Sequence, residues 1–186
     1  MPEKTPDNVI LAVRHWLETV VVQLNLCPFA KRELSCDTIR FTTTAAGNEE
    51  DLLSALGSEL RHLQSNPSIE TILLIHPQAM QDFFDYNQFL DSVDTLLQEM
   101  SLQGIFQVAS FHPDYQFGGT AAADAENYSN RSPYPLLHIL REESLERAIA
   151  SHPDVAAIPE RNIALLRRIG TQQMQSLLAA CTETLN

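Results

Sequence analysis

Two histidines occupy equivalent places in this chain. Ile72-Leu73-Leu74-Ile75 runs into His76-Pro77, and Val108-Ala109-Ser110-Phe111 runs into His112-Pro113. They are 36 residues apart, a span that one crossover helix fills. If the two runs are neighbouring parallel strands, both imidazoles emerge at the carboxyl edge of a sheet, where open α/β proteins place their ligands. A histidine there suits acid/base chemistry, and a nearby carboxylate such as Asp114 would orient it. His112 has the stronger claim of the two. It opens a 23-residue segment, 112–134, with no sustained period and four aromatic residues (Tyr115, Phe117, Tyr128, Tyr134). Aperiodic connections of that length are uncommon and often functional, and this one is too aromatic for a solvated linker.

A second candidate is Cys27, followed by Pro28 and then Lys31-Arg32. Read as the N-cap of a short helix beside two cations, its thiol would favour the thiolate and suit a nucleophile. A third is Arg131-Ser132-Pro133. Ser132 as an N-cap and Pro133 as a first helical residue would present open N–H groups beside Arg131, an anion site. Asn127, Asn130, Tyr115 and Tyr128 would add binding groups, and His138, about a turn and a half further along that helix, would face the same place. His76, His112, His138 and Asp114 are acceptable metal ligands, but no pair has His-x-x-x-His spacing, and the sequence names no metal and no cofactor. No phosphate loop, dinucleotide fingerprint or serine elbow is present.

The elements that must position these groups follow from periodicity. Thr5-Pro6-Asp7 starts a helix whose stripe is Val9, Val13, Trp16, Val20 and Leu24, with Asn25 closing it. Thr38–Thr44 alternates as a strand. Asn48 caps a helix striped by Leu52, Leu56, Leu60 and Leu63, which ends at Asn66-Pro67. Residues 69–75 form a strand apolar on both faces, 81–100 a helix ending before Gly104, and 105–111 a third strand. Helices are expected from Pro133 to Ala150, from Pro159 to Ile169, and from Thr171 to Leu185. The resulting expectation is an α/β fold, a small mainly parallel sheet of about three strands (βαβαβ) covered by helices. Residues 1–170 would be one domain and 171–186 a C-terminal helical tail.

Composition narrows the function classes. The chain has 186 residues, 44% hydrophobic and 19% charged, with a net charge of −12. Residues 48–104 carry ten acids and one base. That balance argues against a nucleic-acid backbone or an anionic membrane as partner. Met1–Asn8 lacks a signal-peptide layout, and three cysteines (Cys27, Cys36, Cys181) without redox spacing suit free thiols in a reducing cytoplasm.

The stretches Leu24–Ala30, Asp85–Leu90, Phe106–Phe117, Glu126–His138 and Ile158–Asn162 together resemble the bacterial family known as domain of unknown function 1415. The resemblance runs from about Val9 to Gly170 and implies a single-domain protein; it brings no catalytic residue with it. The residues therefore lead to a small-molecule enzyme, a hydrolase or group transferase acting on a polar or anionic substrate under the 112–134 segment. Its groups would be His112, Asp114, Cys27 and His76. The alternatives are a non-catalytic ligand-binding or regulatory protein using the same pocket, and a protein-interaction module built on the acidic 81–100 helix, with Phe84 and Phe89. Oligomeric state is left open.

Overall fold

The computed structural model describes residues 5–183. Met1–Lys4, within the segment read for a signal peptide, and Leu185, the last residue of the expected C-terminal stripe, lie outside them. Helix α1 (Pro6–Trp16) is capped by Thr5, whose Oγ1 accepts from the Asn8 N–H at 3.3 Å. It continues as a π-helical segment, Leu17–Val22, in which the Gln23 N–H bonds five residues back to Glu18 at 3.1 Å. Asn25, in the left-handed region at φ 53°, then turns the chain. A short α2 (Ala30–Ser35) leads to β1 (Ile39–Thr43). Then come α3 (Glu49–Ser65), β2 (Thr71–Ile75), α4 (Phe83–Glu99) and β3 (Phe106–Phe111).

The α/β expectation is met, with a fourth strand that makes the sheet a mixed one. The segment expected as a helix from Pro133 is instead strand β4 (Leu136–Arg141), and only Glu142–Ser151 is helical, as α5. The sheet order is β1-β2-β4-β3: β2 pairs with β1 in parallel, while β4 lies antiparallel between β2 and β3. Residues 136–140 resolve into a strand because β2 and β3 would otherwise leave two bare edges at the centre of the sheet. Two helices follow, α6 (Ile158–Ile169) and α7 (Thr171–Glu183).

The pleat sends alternate residues to opposite faces. Ile72, Leu74, Leu137, Ile139 and Phe106 pack with α3 and α4. Leu73, Ile75, Leu136, Ile39 and Phe111 pack with α1, the π-helical segment, α6 and α7. Four leucines of α3 (52, 56, 60, 63) are fully buried, each contributing about 2 kcal/mol by leaving water. The α7 helix buries Met174 and Cys181 in the second of these cores. No helix among the described residues is long and apolar enough to cross a membrane.

Candidate functional site

His76 and His112 do end strands that run the same way, but β4 separates those strands. Each histidine follows the last residue of its strand, so the pleat turns both rings to the α3–α4 face. There His76 stacks on Tyr86 with ring centroids 5.7 Å apart, and His112 meets the same ring at 5.2 Å and Phe83 at 5.5 Å. His76 is 0% and His112 1% exposed, so both are sealed from solvent.

Their nitrogens hold backbone. His76 Nδ1 donates to the Ala79 carbonyl at 3.1 Å, and His112 Nε2 donates to that of Met80 at 3.2 Å. Met80 sits at φ 51°, a left-handed turn the two imidazoles help to fix. The Asp114 N–H, rather than its carboxylate, bonds His112 Nδ1 at 3.0 Å. Burial pushes the His76 pKa down to about 4, with the like charge of His112 adding to it, and burial also lowers His112. Both are neutral rings, and His76 Nε2 has no partner.

The 112–134 segment is likewise held by the groups expected to bind a ligand. Asn127, fully buried, accepts from the Phe117 N–H (3.0 Å) and Thr120 Oγ1 (2.8 Å) and donates to the Ala121 carbonyl (2.8 Å). Arg131 donates to the carbonyls of Tyr115 and Ala122 and lies 4.6 Å over the Tyr128 ring. Asn130 donates to the Ser110 carbonyl. Ser132 Oγ donates to the Tyr134 carbonyl and caps no helix, so the anion site expected at Pro133 does not form. Tyr115 packs on Phe83 and Phe117.

Two adjoining cavities lie on the other face. A cavity of about 600 Å³ is lined by Val21, Leu26, Cys27, Phe111, Phe117, Thr120, Glu126, Ser129, Asn130, Ile158, Pro159, Asn162 and others. A second, of about 110 Å³, shares Val21, Cys27 and Phe111 with it and reaches Trp16, Leu73, Thr71 and His138. Cys27 therefore stands where the two meet. It does not cap a helix; α2 starts three residues later, after Phe29. Its turn is instead fixed by α6. Asn162 Nδ2 donates to the Leu26 carbonyl and Arg161 to that of Asn25, each at 2.8 Å. Opposite, Arg167 grips the Glu126 carboxylate from α6 and holds it below the usual carboxylate range.

His138 is part of this site for a different reason than expected. It is on β4, paired with Leu73 and Ala109, and burial pushes its pKa down to about 4. Sequence reasoning missed Trp16, Val21, Phe111 and Thr71 as lining residues. The π-helical segment that carries Leu17 and Val21 had no sequence signal, though such segments recur at functional sites. Among the described residues no group of three or more histidine, cysteine or acidic side chains is placed to hold a metal ion.

A family model described as "Protein of unknown function (DUF1415)" matches residues 8–176. The chain belongs to the DUF1415 family. The match passes Gly170 and enters α7. Four of the stretches on which the resemblance rests meet at the larger cavity of this DUF1415 protein. They contribute Leu26 and Cys27, Phe111 and Phe117, Glu126 with Ser129 and Asn130, and Ile158 with Pro159 and Asn162. No curated protein and no solved structure matches the chain.

Proposed function

We propose that this protein binds a small, neutral, largely apolar molecule in the two adjoining cavities beneath the 112–134 segment. The observation that carries this reading is their meeting at Cys27, with walls drawn from the π-helical segment, the sheet, the 117–130 stretch and α6. Pockets of several hundred Å³ with apolar walls and a few polar groups are the usual small-molecule sites. Among the described residues, no lysine or arginine lines either cavity, which favours a neutral ligand over an anionic one. The site belongs to a protein of a reducing, cytoplasmic setting, in keeping with three unpaired cysteines.

A thermal-shift screen of neutral, mostly apolar compounds tests it. A binder at 100 times its dissociation constant stabilises by about 2.7 kcal/mol. Ile163→Trp, at a half-exposed wall position, fills the larger cavity and is expected to abolish that shift while the protein stays folded. Unaltered shifts in Ile163→Trp, or no shift with any compound, would overturn the reading.

A second reading, in which a hydrolase or group transferase uses Cys27 as nucleophile, is favoured by the position of Cys27 at the junction. Iodoacetamide at neutral pH should then modify Cys27 in the folded protein faster than the exposed Cys36. An unreactive Cys27 removes it.

A further inference from the structure

The smaller cavity is mostly hydrocarbon, walled by Leu17, Val21, Phe29, Ile39, Leu73 and Phe111, yet two polar side chains of the sheet open onto it: Thr71 and His138. Their hydrogen bonds fix where the protons are. Thr71 Oγ1 has one proton and donates it to the Ile139 carbonyl, which can only accept, over an O···O distance of 2.6 Å. The same oxygen is 2.7 Å from His138 Nε2 and must therefore accept there, so the Nε2 carries the ring proton. His138 Nδ1 is then a bare lone pair. It takes no hydrogen bond from a described residue and is not among the buried atoms shut away from space.

We propose that His138 Nδ1 is the specificity-determining acceptor of the smaller cavity, receiving a hydrogen bond from a neutral hydroxyl or N–H at the tip of the ligand's apolar arm. This rests on the reading of the cavities as a ligand site. The volume, about 110 Å³, suits a single six-membered ring or a short branched alkyl group, since a dry cavity of about 150 Å³ accepts benzene. Burial keeps the ring neutral at physiological pH, so its lone pair is available. A purely hydrocarbon arm leaves that lone pair unpaired, and the mismatch discriminates against it. Glu33 is the other acceptor on the wall. Its carboxylate already accepts from Thr38 Oγ1 at 2.6 Å.

Phenol and toluene form a matched pair of probes, equal in shape and differing in hydroxyl for methyl. Trp16, the chain's single tryptophan, lines the cavity and reports occupancy through its emission when excited at its red edge. Phenol is expected to bind wild-type protein roughly tenfold more tightly than toluene. In His138→Phe, which leaves Thr71 donating to Ile139, the preference should vanish while toluene binding stays. His138→Gln, which restores an acceptor, should recover part of it, and Glu33→Gln should leave it unchanged. Equal binding of both probes by wild-type protein would overturn the role of His138 and leave the ligand site standing. So would a preference that survives His138→Phe or disappears in Glu33→Gln. Failure of both probes to reach Trp16 would overturn the ligand site together with this inference.

Discussion

Asn162 Nδ2 donates to the Leu26 carbonyl at 2.8 Å, and the residue that follows Leu26 is Cys27. A side chain from the first half of α6 thus sets the backbone of a turn 136 residues earlier in the chain. Arg161 does the same one carbonyl further back.

Asn162→Ala leaves the Leu26 carbonyl without its donor, and Leu26 is buried. The cost should be about 1–3 kcal/mol, read from the urea midpoint. Alkylation of Cys27 should quicken at the same time, as the turn loosens. An unchanged alkylation rate would show that α6 does not govern the Cys27 turn.

Asn127→Ala removes three hydrogen bonds from a fully buried position and leaves the Phe117 N–H without its acceptor, while the Ala121 carbonyl keeps the Asp124 N–H. Destabilisation of about 2–4 kcal/mol is expected, with new tryptic or chymotryptic cuts between Tyr115 and Arg131. A wild-type digestion pattern would count against Asn127 as the organiser of the segment.

Tyr86 spans the sheet edge from below: its hydroxyl donates to the Leu136 carbonyl at 2.8 Å and accepts from the Phe111 N–H at 3.1 Å. Tyr86→Phe should cost about 1–3 kcal/mol. Phe111 lines both cavities, so Trp16, whose ring lies 5.4 Å from that of Phe111, should change its emission as well. Unaltered emission alongside the stability loss would confine Tyr86 to holding the strands.

The buried histidines make stability fall with acid. The unfolded chain protonates His76 and His138 near pH 6.5, whereas the folded chain holds each neutral until about pH 4. Between those values the unfolded state carries more protons, so stability is full above pH 6.5 and declines as pH drops toward 4. For His76 the loss is on the order of 2–3 kcal/mol. His76→Phe keeps the stack on Tyr86, and Gln81 still donates to the Ala79 carbonyl at 3.2 Å. Its urea midpoints at pH 7, 6 and 5 should slope less steeply than those of wild-type protein; equal slopes would refute the assignment.

Most of the frame was legible because its signals are local. The stripe of α3, the doubly apolar β2 and the caps at Thr5 and Asn48 each follow from a few neighbouring residues. Strand β4 was not. A short apolar run such as 136–140 fits a buried strand or a helix equally, and Ser132-Pro133 mimicked a helix start. Pro135, which bars a regular helix start one residue earlier, was the overlooked sign. The site suffered more from this than the fold did. With β4 placed as a helix, His138 could not be assigned to the face that holds Cys27, and nothing in the spacing of His76 and His112 revealed that the pleat turns both away from it.

The place of β4 also has a consequence for how the protein is made. As the chain emerges from the ribosome, β1, β2 and β3 are complete before residue 136 exists, and β3 has no strand to join until it does. Thr71–Ile75 meanwhile presents an apolar, unpaired edge, the kind that recruits other chains. The strand synthesised last fills the centre, and its Leu136 pairs with Phe111 across the segment that roofs the cavities. Completion of the sheet and anchoring of that roof thus both wait on the same short strand, residues 136–141.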